Sequence, residues 1–380
     1  MKNPFETEER RAFRETVRRF VAAEVTPYAA AWDEAGEVPW ELHQKVGALG
    51  VWGFGISEKY GGLGFRDTFM SAAFSEEFAK CGAGGVGAAI GGRSISIGPI
   101  ERFASEDIKM KWLPDIIAGR KSSSLAITEP SGGSDVASLQ TTAKRDGNHW
   151  VINGSKTFIT GGMKASAYVV GARTGEKGLK GISLFFVEAD TPGFSRTALD
   201  KKMGWWASDT ATLHFDNVRV SAENMLGEEN RGFLSIMNNF NYERLGMVAG
   251  MLGMMKVCLE ESIAWAQQRE TFGKKLIEHQ VIRHKIADMS ARIDQIECYL
   301  NWICWRANEG EMPVAEVSKA KFSTSKALEF CASEAMQIIG GAAYLRGNRV
   351  ERIYREVKVN AIGGGSEEIM RDLAVRQMGL

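Results

Sequence analysis

The spacing of apolar residues along the chain changes twice, and this change constrains the fold more than any single motif does. Residues 1–121 and 233–380 carry apolar side chains at intervals of three and four, the spacing of amphipathic helices. Residues 122–232 instead contain short runs with no helical period, separated by turn-forming pairs such as Asp146-Gly147. The sequence therefore predicts an α+β protein of three domains: helical over 1–121, β over 122–232 and helical again over 233–380.

Within these domains the patterns predict individual elements. Four strands are expected in the middle domain, at 149–152, 167–172, 182–187 and 210–215. Long helices are expected at 245–269, 281–309 and 314–339, and with the final segment they predict a four-helix bundle. Pro114 is expected to restrict any helix over 110–117 to its C-terminal part. The absence of GxGxxG and GxxxxGK[ST] motifs disfavours a Rossmann or P-loop fold.

Charge and composition exclude several classes of function. Lys+Arg and Asp+Glu both number 47, so no net charge favours a nucleic acid as partner. No apolar run reaches the ~18 residues of a membrane span, and the charged N-terminus disfavours secretion. Five scattered cysteines and five histidines without paired-ligand spacing predict neither a disulfide framework nor a metal site. We therefore expect a cytoplasmic protein.

Four segments have the composition of ligand-binding regions, although each alone has a plainer interpretation. Residues 125–135 place Pro, Gly and Ser after a strand, which suits a polar cofactor but is also typical of a turn. Residues 156–162 put an aromatic and a hydroxyl side chain at a strand end, and 268–274 form a basic, aromatic loop that solvated charge would also explain. In the glycine-rich segment 81–98, close helix packing and a wall of small side chains beside a ligand are both open interpretations.

Several motifs follow one another in a fixed order along the chain. They are Thr128-Glu129-Pro130 with Gly133-Ser134-Asp135, Asn153-Gly154-x-Lys156 through Gly162, Met203-Gly204 with Ser208-Asp209-Thr210, Phe215-x-x-Val218-x-Val220, Arg269-x-Thr271-Phe272-Gly273-Lys274, Gln337-Ile338-x-Gly340-Gly341 and Ile362-Gly363-Gly364-Gly365-Ser366-x-Glu368-Ile369. In this order they resemble the acyl-CoA dehydrogenase family over essentially the whole chain. The resemblance implies an N-terminal α domain, a middle β-barrel-like domain and a C-terminal four-helix bundle, assembled as a homotetramer that binds FAD.

The resemblance also implies positions for the cofactor and the substrate. Thr128 is expected near the reactive flavin N5, and Phe158 and Thr160 beside the isoalloxazine ring. The other cofactor-binding positions of the middle domain are Leu125, Ile127, Gly133, Ser134 and Ile159. The positions expected to bind the FAD adenine and pyrophosphate across a subunit interface are Arg269, Thr271, Phe272, Gln280, Gln337, Gly340 and Gly341, with Ser366 and Glu368 contacting the cofactor from the last loop. The positions expected to bind acyl-CoA are Ser134, Asn241, Arg244 and Gly365.

The family reaction needs a carboxylate that removes the proton α to the thioester while hydride leaves the β-carbon for flavin N5. Many members carry this glutamate in the last loop, where the present chain has Gly364. Glu243, expected at the start of a bundle helix, is the alternative base, because long-chain and isovaleryl-type members resemble the chain in its Glu-Arg-Leu setting. A carboxylate that favours the helix dipole is the plainer interpretation of Glu243. Glu367 and Glu368 rank lower as candidate bases.

Gly364 keeps one role in this hypothesis although it lacks a carboxylate. In the family a backbone N–H at this position polarises the thioester carbonyl, and such a donor is typically worth ~3 kcal/mol. The sequence therefore predicts a division of labour in which Glu243 is the base and Gly364 supplies the oxyanion donor.

The resulting prediction is an FAD-dependent acyl-CoA dehydrogenase that passes electrons to an electron-transfer flavoprotein. The base position favours long or branched acyl chains, including terpenoid ones such as citronellyl-CoA. Two alternatives stay open at this point: a non-catalytic homologue that binds acyl-CoA or flavin, and a flavin oxidase or monooxygenase on the same fold.

Overall fold

The N-terminal part of the chain is helical. The computed structural model describes residues 4–92 and 94–380. Seven α-helices of these ranges precede the first strand: α1 (Glu8–Glu24), α2 (Ala29–Ala35), α3 (Trp40–Ala48), α4 (Thr68–Ala79), α5 (Gly84–Gly91), α6 (Ser94–Phe103) and α7 (Glu106–Ile117). In α1 the Thr7 side chain caps the helix by accepting the N–H of Arg10, and Val17 and Val21 are buried one turn apart. The N-terminal cap and the buried apolar side chains thus both stabilise this helix.

Helix α7 contradicts the expectation that Pro114 would restrict it. The helix begins at Glu106 and passes through the proline. Proline removes one backbone hydrogen bond, which normally destabilises a helix interior. Trp112, Leu113 and Ile116 are buried on both sides of Pro114, and their burial offsets that loss.

The glycine-rich segment forms α5 and the start of α6. A Cβ at Gly84 would lie 2.6 Å from Nε1 of Trp205, and a Cβ at Gly85 would lie 2.8 Å from the Trp205 backbone, so close packing requires both glycines. At Gly87 and Gly91 an added Cβ would meet no atom of the residues described here within 4 Å. The close-packing interpretation therefore applies to the first pair of glycines, whereas the second pair faces open space.

The middle part of the chain forms one mixed sheet. Its strands are β1 (Ser123–Ala126), β2 (Thr142–Asp146), β3 (His149–Thr160), β4 (Ala167–Arg173), β5 (Ile182–Glu188), β6 (Phe194–Ala198), β7 (Thr210–Ser221) and β8 (Met225–Leu226). Their order is β6-β7-β3-β2-β4-β5-β8, with β1 parallel to β4. The long pair β3–β7 is antiparallel and contains register shifts between Ile152 and Gly154 and between Lys156 and Ile159. The second irregularity lies at the strand end that was expected to face a cofactor.

The C-terminal part is a helical bundle. Its elements are α8 (Gly232–Gln268), the hairpin strands β9 (Glu270–Thr271) and β10 (Lys274–Lys275), α9 (Gln280–Asn308), α10 (Val314–Ile339), α11 (Arg349–Ile362) and α12 (Glu367–Gln377). Ion pairs Glu261–Arg349 and Lys285–Glu334 join the late turns of α8 and α10 to the early turns of α11 and α9. The ends of α8 and α10 therefore lie at the same end of the bundle.

The three structural regions follow the predicted order: helical, β, then helical again. Domain boundaries at 121/122 and 232/233 stay a prediction, although helix gives way to strand between Ile117 and Ser123 and returns at Gly232. None of the helices within 4–92 and 94–380 is long and apolar enough to cross a membrane.

Candidate active site

Glu243 and the loop between α11 and α12 lie next to each other. An ideal Cβ built on Gly364 would be 4.0 Å from Oε1 of Glu243. The two positions predicted to share the catalytic work are far apart in the sequence, and the bundle brings them together. Gly364 has φ +66° and Gly365 has φ +102°, backbone conformations that favour glycine.

The structure corrects the expected position of Glu243 on its helix. Helix α8 begins at Gly232, about three turns before Glu243. The additional turns pack Ile236, Met237 and Phe240 against the core of the N-terminal helices. Because the helix dipole acts mainly on the first turn, it does not explain a carboxylate at this depth.

The environment of Glu243 favours a neutral carboxyl. Its Oε2 is buried and has no hydrogen-bond partner among the described residues. Burial raises the pKa of Glu243 to about 7, and the positive charges of Arg244 and Lys321 oppose that rise. A carboxyl with a pKa near neutrality can both accept and release a proton under ordinary conditions.

Two buried cations hold the backbone of the last loop. Arg244 Nε donates to the carbonyl of Gly364 at 3.0 Å, and its Nη1 donates to Oδ1 of Asn241 at 3.2 Å. Lys321 Nζ on α10 donates to the carbonyl of Gly365 at 2.5 Å. No protein acceptor for the N–H of Gly364 is found in the described ranges. That N–H is therefore available to a ligand, as an oxyanion donor must be.

Lys321 is a site residue that the sequence reasoning missed. Burial lowers its pKa to about 8, and its ammonium lies among Arg244, Glu367 and Glu243. A signal existed in the sequence, since Lys321 follows the spacing of Val317, Thr324 and Leu328 on the buried side of α10.

The two lower-ranked bases differ from Glu243 in their surroundings. The Glu367 carboxylate is bound by Ser325, at 2.9 Å, by Lys326 and by Arg371. Glu368 is exposed in the first turn of α12, and Ser366 caps the same helix by accepting the N–H of Ile369. The Glu367 carboxylate is thus already engaged and that of Glu368 is solvated, unlike Oε2 of Glu243, which no described residue binds. The predicted cofactor contacts of Ser366 and Glu368 stay predictions.

The loop after β1 is held by a buried ion pair that the sequence reasoning did not assign. Lys156 Nζ lies 2.8 Å from Oε1 of Glu129 and donates to the carbonyl of Ile127 at 3.0 Å. Glu129 also accepts the N–H groups of Gln140 and Thr141. Burial alone would raise the pKa of Glu129, but the charge of Lys156 and these donors bring it below its ordinary value.

This ion pair leaves Thr128 free to meet a ligand. The Thr128 carbonyl accepts the N–H of Thr157 at 2.9 Å. Its own N–H and hydroxyl form no hydrogen bond with another protein group in the part of the chain described here. A Cβ at Gly133 would lie 3.1 Å from the Thr128 methyl group, while Ser134 is exposed.

The three residues at the strand end predicted to line the flavin, Phe158, Ile159 and Thr160, differ in how exposed their side chains are. Phe158 has φ +58° and is 70% exposed, so a bulky side chain is held in solvent by a strained backbone. Ile159 instead buries its side chain in the sheet, as Ile127 and the half-buried Leu125 do nearby. Thr160 is half-buried, and its carbonyl accepts the Ser124 hydroxyl at 2.9 Å. A ligand at this edge can therefore contact Phe158 and Thr160 directly, but only the backbone of Ile159.

The positions predicted to bind the adenine and pyrophosphate lie at the other end of the bundle. At 1.5 Å per residue, Arg269 is about 39 Å from Glu243 along α8. Phe272 at the hairpin tip has φ +51° and is 98% exposed, and Thr271 is half-buried behind it. The remaining exposed members of the group are Arg269, Gln280, Gln337, Gly340 and Gly341.

Comparison with known proteins covers the whole chain. Family models for the N-terminal, middle and C-terminal domains of acyl-CoA dehydrogenase match residues 7–120, 124–218 and 230–379. The mitochondrial long-chain specific acyl-CoA dehydrogenase of Sus scrofa is 35% identical over 96% of this chain and 85% of its own length.

Solved structures are similar over the same extent. Butyryl-CoA dehydrogenase from Megasphaera elsdenii is 32% identical, with a TM-score of 0.94 over 100% of both chains. A glutaryl-CoA dehydrogenase from Mycobacterium smegmatis in complex with FADH2 is 28% identical, with a TM-score of 0.93 over 98% of this chain and 95% of that one.

Proposed function

The chain belongs to the acyl-CoA dehydrogenase family, and we propose that it dehydrogenates acyl-CoA thioesters of long or branched chains with Glu243 as its base. Family membership makes it a flavoprotein oxidoreductase that acts on CH–CH bonds and uses FAD. The observation that carries the choice of base is the position of the buried Glu243 carboxyl, 4.0 Å from where a side chain at 364 would begin.

The residues present suit FAD. Thr128 offers an N–H and a hydroxyl that no described residue binds, and Phe158 presents an exposed ring on a strained backbone. The hairpin and the turn after α10 offer a guanidinium and glycines at which a Cβ would meet nothing within 4 Å. When bound, FAD supplies the hydride acceptor. Because Arg269 lies about 39 Å along α8 from Glu243, we propose that Arg269, Phe272 and Gln337 complete the cofactor site of a neighbouring subunit in a homotetramer.

The chain's own residues then divide the work on the substrate. Glu243 accepts the α-proton, and it can do so only in its ionised form. The Gly364 N–H donates to the thioester carbonyl as negative charge develops there. Arg244 and Lys321 hold the carbonyls of Gly364 and Gly365, which fixes the direction of that N–H.

The proposed function includes the kind of acyl chain, the electron acceptor and the location of the protein. A relative named as long-chain specific, together with the base on α8, supports long or branched acyl chains. We further propose an electron-transfer flavoprotein as acceptor and a cytoplasmic location.

Anaerobic flavin reduction by acyl-CoA tests this function. Glu243→Gln should slow reduction at least ~10²-fold, because the amide keeps the shape of the carboxyl but loses its basicity. Glu260→Gln, an exposed glutamate on the same helix, is the matched control and should reduce at the wild-type rate.

The outcomes separate the competing functions. A wild-type protein that binds acyl-CoA without bleaching its flavin would be a non-catalytic homologue, and peroxide release in air would identify an oxidase. Normal reduction in Glu243→Gln would reject Glu243 and reopen Glu367 and Glu368 as bases.

A further inference from the structure

The space that glycine leaves at position 364 is occupied by a methionine. An ideal Cβ on Gly364 would lie 2.5 Å from Sδ and 3.4 Å from Cε of Met247. Met247 is half-buried and lies one turn after Glu243 on α8. The Glu243 carboxyl and the Met247 thioether therefore flank the same point, and the missing side chain has not left an empty cavity there.

The chemistry of methionine suits a wall that moves. Its side chain is unbranched, has three rotatable bonds and adapts to irregular shapes. Of the Gly364 backbone and the Met247 side chain, the methionine is the flexible component, so a rotation of its side chain would change the width of the site beside Glu243. The backbone at Gly364 is held by Arg244 through the Gly364 carbonyl and cannot yield as easily.

We propose that Met247 is a specificity-determining residue, whose thioether packs beside the α- and β-carbons of straight acyl chains and swings aside for a methyl branch at either carbon. This inference rests on the proposed function, because it places the reacting carbons at Glu243. It narrows the proposed substrates to acyl-CoA thioesters that carry a methyl branch on one of the two carbons of the bond to be oxidised.

Three substrates that differ by one methyl group test the proposal. Butyryl-CoA is the straight reference, 2-methylbutyryl-CoA adds a methyl at the α-carbon, and 3-methylbutyryl-CoA adds one at the β-carbon. The quantity measured is kcat/KM for each branched substrate divided by kcat/KM for butyryl-CoA. A single methyl group in a pocket is typically worth ~10-fold or more in this ratio.

Two substitutions should move the ratio in opposite directions. Met247→Ala should raise it ~10-fold for at least one branched substrate, and Met247→Phe should lower it by a similar factor. Met254→Ala is the matched control, since Met254 is a buried methionine of the same helix that packs in the bundle core. It should leave the ratio unchanged even if it lowers thermal stability.

The result can overturn the inference independently of the function. If the wild type oxidises no acyl-CoA of any length, the proposed function fails. If it oxidises only longer chains, the straight, 2-methyl and 3-methyl acyl-CoA of such a length replace the three substrates. If the wild type is active and FAD-loaded Met247 variants change straight and branched substrates by the same factor, Met247 does not set specificity. Circular dichroism and FAD content identify any variant that has not folded, and in that case Met247→Leu and Met247→Ile, which differ in the position of the branch, replace it.

Discussion

Glu243 bears an energetic cost together with its proposed role. Its pKa is raised to about 7 by burial, so the folded protein holds this proton more tightly than the unfolded chain does. Stability from this group is therefore fully present below the unfolded pKa, ~4.3, and is lost as pH rises towards 7. A residue kept at such a cost fits a functional site better than a structural one.

Glu243→Gln should consequently stabilise the protein while it removes activity. At pH 8 the gain should approach ~3.5 kcal/mol, the upper bound set by the pKa rise, and it should fall below ~1 kcal/mol near pH 4.5. Urea unfolding of the FAD-loaded protein at both pH values measures the gain. A variant that is less stable than the wild type at pH 8 would show that the carboxylate is satisfied in the fold.

The geometry at position 364 can be tested by stability alone. Gly364→Ala forces an L-residue into φ +66° and places its Cβ against Met247 Sδ. The backbone part of the cost is ~1–2 kcal/mol, and the overlap part is ~1–3 kcal/mol. In a double-mutant cycle with Met247→Ala only the overlap part should disappear. An additive cycle would mean that the two side chains do not compete for one space.

Some residues of the candidate site could be predicted from the sequence, and others could not. Glu243 and Gly364 could be paired from the sequence only through the resemblance to the acyl-CoA dehydrogenase family, which implies a glutamate on a bundle helix in members that lack one in the last loop. Met247 gives no such signal, since a methionine at helical spacing is ordinary core. Its importance arises only from its distance to a glycine of another element.

At the scale of elements, the loop after β1 depends on the Lys156–Glu129 pair. Both side chains are almost fully buried, at 0% and 3% exposure, so removal of one partner leaves an uncompensated charge in the interior. The pair also fixes the Ile127 carbonyl, next to the Thr128 groups proposed to meet FAD.

Lys156→Met should therefore destabilise the protein by ~3–5 kcal/mol, and Lys156→Met with Glu129→Leu should recover much of that loss. Urea unfolding of the FAD-free proteins compares the two. The double variant should still bind FAD more weakly than the wild type, because its loop is no longer held at Ile127. A single variant as stable as the double one would contradict the need for charge compensation.

Element boundaries were harder to predict than element types, and the reason is tertiary packing. Strands formed at all four places expected within 122–232, because a short apolar run without helical period, bounded by turn-forming residues, is a local property of the sequence. The start of α8 was misplaced because its first turns are ordered by contacts of Ile236 and Phe240 with another domain. The expectation that Pro114 would shorten α7 was wrong for a similar reason, since the burial of side chains around the proline outweighs one lost hydrogen bond.

At the scale of the whole molecule, a buried carboxyl joins the three regions of the chain. Glu356 on α11 accepts the N–H of Gly84 from α5 at 2.7 Å and that of Trp205 from the segment before β7 at 2.9 Å. The proposed active site lies between these regions, so their relative placement determines whether Thr128, Glu243 and Gly364 can act on one ligand.

The separation of about 39 Å between Glu243 and Arg269 along α8 leads to a prediction about assembly. If Arg269 serves a neighbour's cofactor, FAD binding must weaken when subunits separate. Arg269→Ala should lower FAD affinity at least ~10-fold, as expected when a charge-assisted bond to a diphosphate is lost. Arg19→Ala, on the exposed side of α1, is the control and should bind FAD as the wild type does.

Mass photometry and flavin fluorescence over one dilution series provide the measurement. In the wild type the dissociation of subunits and the release of FAD should have the same midpoint concentration, since the cofactor bridges two chains. Monomers that retain stoichiometric FAD would place Arg269 outside the cofactor site, and the exposed Phe272 hairpin would then need another partner.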